Sequence, residues 1–439
     1  MKSLQSVRGM HDLLPEQAES MQRLVQGASD VLAGFGYRLI QLPLIEQFEL
    51  FARSVGEHTD VIGKEMYTLA QSDGDPLVLR PEGTAGCVRA AIQHGLVRTP
   101  QQRLWYHGPM FRHERPQKGR QRQFWQLGVE ALGMQGVASE AELLLLGASL
   151  WRAMGLKGLR LEINHLGGAE SRAHYRQALQ EWLLVRADQW DGEIMERARS
   201  NPLRVLDSKD EAVRTALGEA PQISEFLSDA ERAGFAELLE VLRENDLDPQ
   251  VNTHLVRGLD YYTGVVFEWS SDRLGAQSAV CAGGRYDELV EQLGGQPTPC
   301  LGFALGWERV MLHLDAQAEA ETEAAAGDSR DSAVDAVLIP LGEASASRRA
   351  ILMANQLRTE LPGLHLVMDI GGGNLAKKLR RADRLRARQV LLLGEDEMER
   401  GVVSVKLLYD APPQGQFEVA QGSALLEYLR TSIHERGSG

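Results

Sequence analysis

Residues 111–130 read FRHERPQKGRQRQFWQLGVE, and residues 255–269 read LVRGLDYYTGVVFEW. The first stretch holds Arg112, Arg115, Lys118, Arg120 and Arg122 between two apolar runs. Those runs, at 103–112 and 124–132, have the pattern of strands, so together they form an antiparallel pair with a long basic connection. In the second of them Gln126, Gly128 and Glu130 stand at even spacing and share one strand face. Arg112 and Glu130 fall at far ends of the pair, where side chains can converge. The other stretch sets Arg257 beside Gly258, Asp260, Tyr261 and Tyr262 as a further strand opens. Guanidinium forks of this density suit phosphate oxygens, because Arg offers planar bidentate donors. They suggest an enzyme that handles a nucleoside triphosphate, and a nucleic acid as well.

Outward from these stretches, the chain reads as α+β. Residues 16–35 have helical spacing, stopped at Gly34-Phe35-Gly36. Residues 37–44 read as a strand interrupted by Pro43, which places it at an edge or an interface. A short strand at 77–79 leads through Glu82 to Thr84, which could cap a helix over 85–94. A helix at 139–154 and a strand at 159–164 follow. From about 170 to 245 the pattern is nearly all helical, broken at SNPLRVLDSKD (200–210), and reads as an insertion. Strands return at 264–269 and 278–281, then a helix at 286–293, a strand at 300–305 and a helix from about Gly306. Residues 315–335 are rich in Ala, Glu and Asp and read as a linker. Beyond it, strand and helix alternate through 394, as in a separate α/β domain with a mainly parallel sheet. The expected division is 1–325, a linker at 326–335, and 336–439.

Composition narrows the class. The 439 residues suffice for two or three domains. A net charge of −14 argues against a general DNA coat protein, but a local basic face can still contact RNA. No apolar run approaches a membrane span, and MKSLQSVRGMHDLLPEQ turns polar too soon for a signal peptide. Cys87, Cys281 and Cys300 are far apart and have no CxxC or His companions, which argues against disulfides and zinc. A cytoplasmic enzyme is expected. His107, His113 and His165 are scattered and show no metal-binding pattern. There is no GxxxxGK[ST] loop and no GxGxxG after a strand, so ATP would be bound without a P-loop or Rossmann site.

Each constellation has a plainer reading. The 112–122 charges could be a solvated loop, Arg257 and Asp260 a salt bridge, and the tyrosines core. CAGGRYD (281–287) could be a turn, though its glycines also permit close approach to a ligand. Arg309, in the first turns of a helix, could be a surface residue. Lys377, Lys378, Arg380, Arg381, Arg384, Arg386 and Arg388 crowd one helix with Asp383 against them. They could be a solvated face or a contact to a polyanion, for which RNA is the natural candidate.

VRGMHDLLP, GEHTDVIGKEMYT, LRPEGTAGCVRA, GPMFRHERPQKGR, LVRGLDYY, CAGGRYD and GFALGWER resemble, in order, segments of histidyl-tRNA synthetase, a class II aminoacyl-tRNA synthetase. The likeness covers essentially the whole chain. It implies an antiparallel catalytic sheet with flanking helices, a helical insertion and a C-terminal α/β anticodon-binding domain. It implies a homodimer joined through the first helix and the strand around Pro43. It also implies ATP and Mg²⁺, with L-histidine and histidine tRNA as substrates and histidyl-adenylate as intermediate. Under the resemblance Glu82, Thr84 and Gln126 hold the α-amino group. Glu130 and Tyr262 bond the imidazole, with Tyr261 beside them. Arg112 and Arg257 grip the α-phosphate, and Arg120 and Arg309 the outer phosphates. Arg115 and Gln117 meet the tRNA acceptor end. Trp125 and His165 depart from the family pattern, and Trp125 could alter the pocket wall. Two rival readings are a regulatory paralogue of histidine biosynthesis and an RNA-binding protein on an inactive synthetase fold. Intact Arg112, Glu130, Arg257 and Arg309 speak against the second.

Overall fold

The basic stretch connects two long antiparallel strands, Gln102–Phe111 and Gln123–Leu132, registered Leu104 to Glu130 and Tyr106 to Gly128. The computed structural model describes residues 4–56, 59, 61–69, 74–99, 101–208, 210–324, 334–342, 344–408 and 416–434. The chain divides into two units, Met1–Ala325 and Ala326–Gly439. Apart from 334 and 335, the expected linker at 326–335 lies outside the described residues.

The first unit opens with α1 (Pro15–Gly34), β1 (Arg38–Leu39), β2 (Ile45–Gln47), α2 (Phe48–Val55), β3 (Thr68–Leu69), β4 (Leu77–Leu79) and α3 (Thr84–Gln93). The long pair are β5 and β6, followed by α4 (Val137–Ala153) and β7 (Arg160–His165). The insertion contains α5 (Ala169–Val185), α6 (Gly192–Ser200), α7 (Glu211–Leu217) and α8 (Asp229–Glu244). The chain returns through β8 (Gln250–Val251), β9 (Thr263–Ser270), β10 (Ala279–Arg285), α9 (Leu289–Gln292), β11 (Cys300–Gly306) and α10 (Trp307–Ala324).

Among the described residues one eight-stranded sheet runs β1-β5-β6-β11-β10-β9-β7-β8. Its inner pairs are antiparallel, and only the outermost pairs, β1–β5 and β7–β8, are parallel. Strand alternation divides the sheet into two faces. Leu127 and Val129 face a core with Leu32 of α1, Leu146 of α4, Leu242 of α8 and Trp307 of α10. Burying a leucine there contributes roughly 2 kcal/mol. Gln126, Gly128 and Glu130 face the other way.

Several local expectations change. The strand expected at 37–44 shrinks to Arg38–Leu39 at the sheet edge. Past it the backbone is held by a side chain: Arg80 donates to the carbonyls of Leu42 (3.0 Å), Pro43 (3.3 Å) and Pro109 (3.0 Å). Thr84 does not cap α3. The Glu82 carboxylate does, accepting from the N–H groups of Thr84 (2.6 Å) and Ala85 (2.9 Å). CAGG belongs to β10 rather than a turn, and the helix after it shortens to Leu289–Gln292. Residues 315–324, read as linker, continue α10, since Ala and Glu favour helix whatever their polarity.

The second unit contains β12 (Val334–Pro340), α11 (Ala344–Glu360), β13 (Leu366–Met368), α12 (Leu375–Arg384), β14 (Ala387–Leu393), α13 (Glu395–Arg400), β15 (Val402–Leu407), β16 (Gln416–Ala420) and α14 (Ser423–His434). Its sheet runs β13-β12-β14-β15-β16. β12 pairs in parallel with β13 and β14, but β15 and β16 are added antiparallel, so the sheet is mixed rather than mainly parallel.

Candidate active site

The outward face of the large sheet has a floor of small side chains. One row across the strands is Tyr106, Gly128, Ala304, Ala282 and Glu268, and the next is Leu104, Glu130, Gly302, Gly284 and Val266. Larger neighbours stand at either side, so a trough results. A methyl group at Gly83 or Gly128 would run into the Tyr106 ring, and one at Gly302 into the Glu130 carboxylate. Glycine is required at these points by close approach. Over Gln126, Ala282, Ala304 and Gly306 of this face lies a cavity of about 420 Å³, a volume suited to a small-molecule ligand.

The cavity is lined by Glu82, Thr84, Gln126, Tyr261 and Tyr262. Glu82 is buried, which raises its pKa against the two backbone donors that lower it. The Gln126 side-chain oxygen is buried and has no hydrogen-bond partner among the described residues. The rings of Tyr261 and Tyr262 pack 4.7 Å apart, and burial lifts the Tyr262 hydroxyl to about 12. Glu130 is 1% exposed and lies behind this wall, off the cavity surface. It accepts from the hydroxyls of Thr84 (2.7 Å), Tyr106 (3.0 Å) and Tyr286. Burial raises its pKa to about 8 in spite of these donors, and nearby Glu82 adds to the rise. A ligand reaches the Glu130 carboxylate only by displacing one of the three hydroxyls.

The same cavity is lined by Arg112, Arg120, Arg257 and Arg309, with Arg112 close enough to lower the pKa of Glu82 and Arg257 that of Tyr262. Acceptors preset each of them. Arg112 donates to the Pro81 carbonyl (2.9 Å) and lies 5.3 Å from the centre of the Phe124 ring. Arg120 pairs with Glu114. Arg257 pairs with Glu268 at 2.6 Å. Burial opposes the Arg257 charge, but Glu268, Tyr262 and Asp207 together outweigh it and the pKa rises. Arg309 donates to the carbonyls of Ala279 (2.7 Å) and Gly119 (3.3 Å), while burial and then Arg120 lower its pKa. Guanidinium groups fixed in this way offer a ready-made field for an oxyanion.

The other singled-out residues lie elsewhere. Arg115 and Gln117 are exposed on the basic loop, where Gln117 bridges to Arg120. Arg257 and Asp260 do not pair with each other: Asp260 binds Arg204 and Asn201. Trp125 does not wall the cavity. Its side chain lines a second cavity of about 570 Å³ with Leu13, Leu24 and Met311, as its odd position on β6 dictates. His165 accepts the Gly167 N–H (3.0 Å) and packs edge-on to Phe235, a structural place. In the second unit, Lys378 donates to the Pro340 carbonyl and Arg381 grips Asp369, so both carry internal bonds.

The sequence reading had not singled out Tyr106, Tyr286, Glu308, Arg197, Arg204 and Asp207. Tyr106 shares the even spacing of β5, which could have signalled it. Glu308 accepts the Trp125 N–H (2.9 Å) at the cavity edge, and burial raises it to about 7. Arg197, Arg204 and Asp207 bring the insertion into the cavity wall, signalled only by the polar break around Pro202.

Comparison with known proteins bears on the same residues. Residues 9–310 match the family described as histidyl-tRNA synthetase, and residues 335–425 match an anticodon binding domain. The crystal structure of apo histidyl-tRNA synthetase from S. aureus is similar, with a TM-score of 0.79 and 29% identity over 98% of this chain and 100% of that one. A structure from Bacillus halodurans, described as an ATP phosphoribosyltransferase regulatory subunit/histidyl-tRNA synthetase, gives a TM-score of 0.63 at 24% identity, covering 90% and 99% of the two chains. Histidyl-tRNA synthetase from Nostoc sp. gives 0.68 at 19% identity, covering 99% and 100%. These last two are likenesses of fold. The match across the first unit, cavity included, spans well over half the sequence, and the chain belongs to the histidyl-tRNA synthetase family of aminoacyl-tRNA synthetases.

Proposed function

We propose that the protein joins L-histidine to histidine tRNA in two steps. A histidine carboxylate oxygen bonds to the α-phosphorus of ATP, the bond to the diphosphate oxygen breaks, and histidyl-adenylate forms. The 3′ end of the tRNA then takes the histidyl group and AMP leaves. One observation carries this reading: a cluster of carboxylates and tyrosines and a set of four fixed guanidinium groups share one small-residue trough.

The roles follow the chemistry of each group. Arg112 and Arg257 stabilise negative charge gained by the α-phosphate oxygens, and Arg120 and Arg309 hold the outer phosphates. Glu82, Thr84 and Gln126 receive the α-ammonium group. The buried Gln126 oxygen that lacks a partner among the described residues supports this, since such an acceptor calls for an N–H donor. Tyr262 bonds the imidazole, with Tyr261 beside it and Glu130 beneath. An amino acid without ring nitrogens would leave these polar groups unpaired, which gives sharp selection without editing. The exposed Arg115 and Gln117 meet the tRNA acceptor end. Among the described residues no group of three or more His, Cys, Asp and Glu gathers as a metal cage. Mg²⁺ enters this reading as the ion that neutralises the triphosphate it arrives with. The exposed Leu39, Leu44 and Ile45 around Pro43 support a homodimer formed through that edge. Among the described residues no helix is long and apolar enough to cross a membrane, and cytoplasmic work on tRNA is the setting proposed.

The test is histidine-dependent exchange of diphosphate into ATP, followed by charging of histidine tRNA. Exchange and charging are both expected. A protein that binds histidine but does neither would instead be a regulatory paralogue.

A further inference from the structure

The helical insertion touches the arginine–tyrosine loop at two points. The Asp260 carboxylate accepts from Asn201 Nδ2 and Arg204 Nη2, each at 3.1 Å. Arg172 of α5 donates to the Tyr262 carbonyl at 2.5 Å and to Glu288 at 3.2 Å. The first contact comes from the turn at Pro202–Val205, the same segment that brings Arg204 and Asp207 to the cavity wall. On its other side, Asp260 is tied to the end of α2. Its N–H donates to the Val55 carbonyl at 3.3 Å, and a side chain at Gly56 would collide with its carboxylate. Asp260 thus joins three elements, and it sits between the cavity-lining Arg257 and Tyr262.

We propose that the contact of Asn201 and Arg204 with Asp260 is how the insertion fixes residues 257–262, making Arg204 and Asp260 positioning residues for adenylate formation. The inference rests on the function proposed above. The side chains of Arg204 and Asp260 are 21% and 35% exposed, so solvent screens their pairing only in part. Two anchors on a short loop remove most of its freedom before substrate arrives. Arg257 has to meet a transition state, and a displacement of about 1 Å in such a group costs about 10²-fold in rate.

The test uses full-length protein and the variants Arg204→Ala, Arg204→Lys, Asp260→Ala and the double alanine variant. Arg243→Ala, which breaks a pair with Asp248 elsewhere in the insertion, is the control. Amide hydrogen exchange of the 255–264 segment reads the loop without reference to catalysis. Faster exchange is expected in Arg204→Ala and Asp260→Ala, with little change in Arg204→Lys and none in the control. In histidine-dependent diphosphate exchange, kcat should fall roughly 10- to 100-fold in each alanine variant. The double variant should lose no more than Asp260→Ala, which already removes the Arg204 bond together with that of Asn201. Unchanged protection of the loop overturns the inference. So do losses that multiply, since Arg204 would then act on a ligand directly. Wild-type protein without histidine-dependent exchange overturns the function instead, and hydrogen exchange still decides the contact.

Discussion

Gly302 stands opposite Glu130 across β11 and β6, and the place of a side chain at 302 is already filled by the Glu130 carboxylate. That carboxylate is held by three hydroxyls from β5, α3 and the end of β10, so it has no free direction in which to yield. Gly302→Ala should therefore destabilise the protein by about 1–3 kcal/mol, the usual effect of overpacking. It should also raise the KM for histidine, because Thr84 would be pushed from the cavity wall. Denaturant unfolding and exchange kinetics check both. Wild-type stability with wild-type KM would show that the floor has room to spare.

Glu130 itself gives a pH prediction. Burial raises its pKa from the ordinary 4.5 to about 8 in the folded protein. Folding then takes up a proton between about pH 4.5 and pH 8, so this group's contribution to stability falls as pH rises through that window. Glu130→Gln removes the titration. Relative to wild type, the variant should gain stability from pH 5 to pH 8.5, read from denaturation midpoints. Buried Glu82 has a raised pKa too, so some slope should remain. A difference between variant and wild type that does not change with pH would mean that Glu130 titrates in its ordinary range. In the exchange assay Glu130→Gln should raise the KM for histidine, because an amide cannot accept from Thr84, Tyr106 and Tyr286 as the carboxyl group does and the Thr84 wall shifts, while tRNA binding stays intact.

How far this site can be read from sequence depends on how local its causes are. Alternation along one strand placed Gln126 and Glu130 on a shared face, and the same rule, applied to Trp125, already puts the indole on the opposite one. The close packing of Tyr106 against Gly128 needs the register of two strands, and no residue of either strand announces that register alone. The grip of Glu82 on α3 was missed because a hydroxyl is the commoner cap, while Thr84 spends its hydroxyl on Glu130. Asp260 and Arg204 lie 56 residues apart, the second inside a segment read as an insertion, so their pairing had no local signal. In the second unit the charge run of α12 was legible, but the use of Arg381 as an internal anchor depends on Asp369 in another segment.

Arg257 should be the most sensitive of the four cavity arginines. It is paired with Glu268, and its side chain is 19% exposed. Arg257→Ala should lower the rate of adenylate formation on the order of 10²–10³-fold and weaken ATP binding much less. Arg257→Lys should recover little, because an ammonium cannot replace a planar fork facing phosphate oxygens. Single-turnover kinetics separate rate from binding. Near-normal exchange by Arg257→Ala would remove this residue from the phosphate site.

The basic helix of the second unit divides into two kinds of charge. Arg381 donates twice to Asp369 at 2.8 Å and once at 3.1 Å, and also holds the Gly371 and Gly372 carbonyls. Asp369 is 7% exposed and would keep the Gly371 N–H, while Arg381 is 36% exposed, so Arg381→Ala should destabilise this unit by about 1–2 kcal/mol. Lys377 and Arg380 are exposed on the same helix. Their alanine variants should leave unfolding unchanged and weaken tRNA binding instead, each lost phosphate contact lowering the salt slope by about one unit. Thermal unfolding and tRNA binding at several salt concentrations distinguish the two kinds. If Lys377→Ala/Arg380→Ala keeps the wild-type salt slope, these charges are a solvated helix face. If Arg381→Ala unfolds like wild type, the Asp369 contact is not an anchor and Arg381 joins the candidates for RNA.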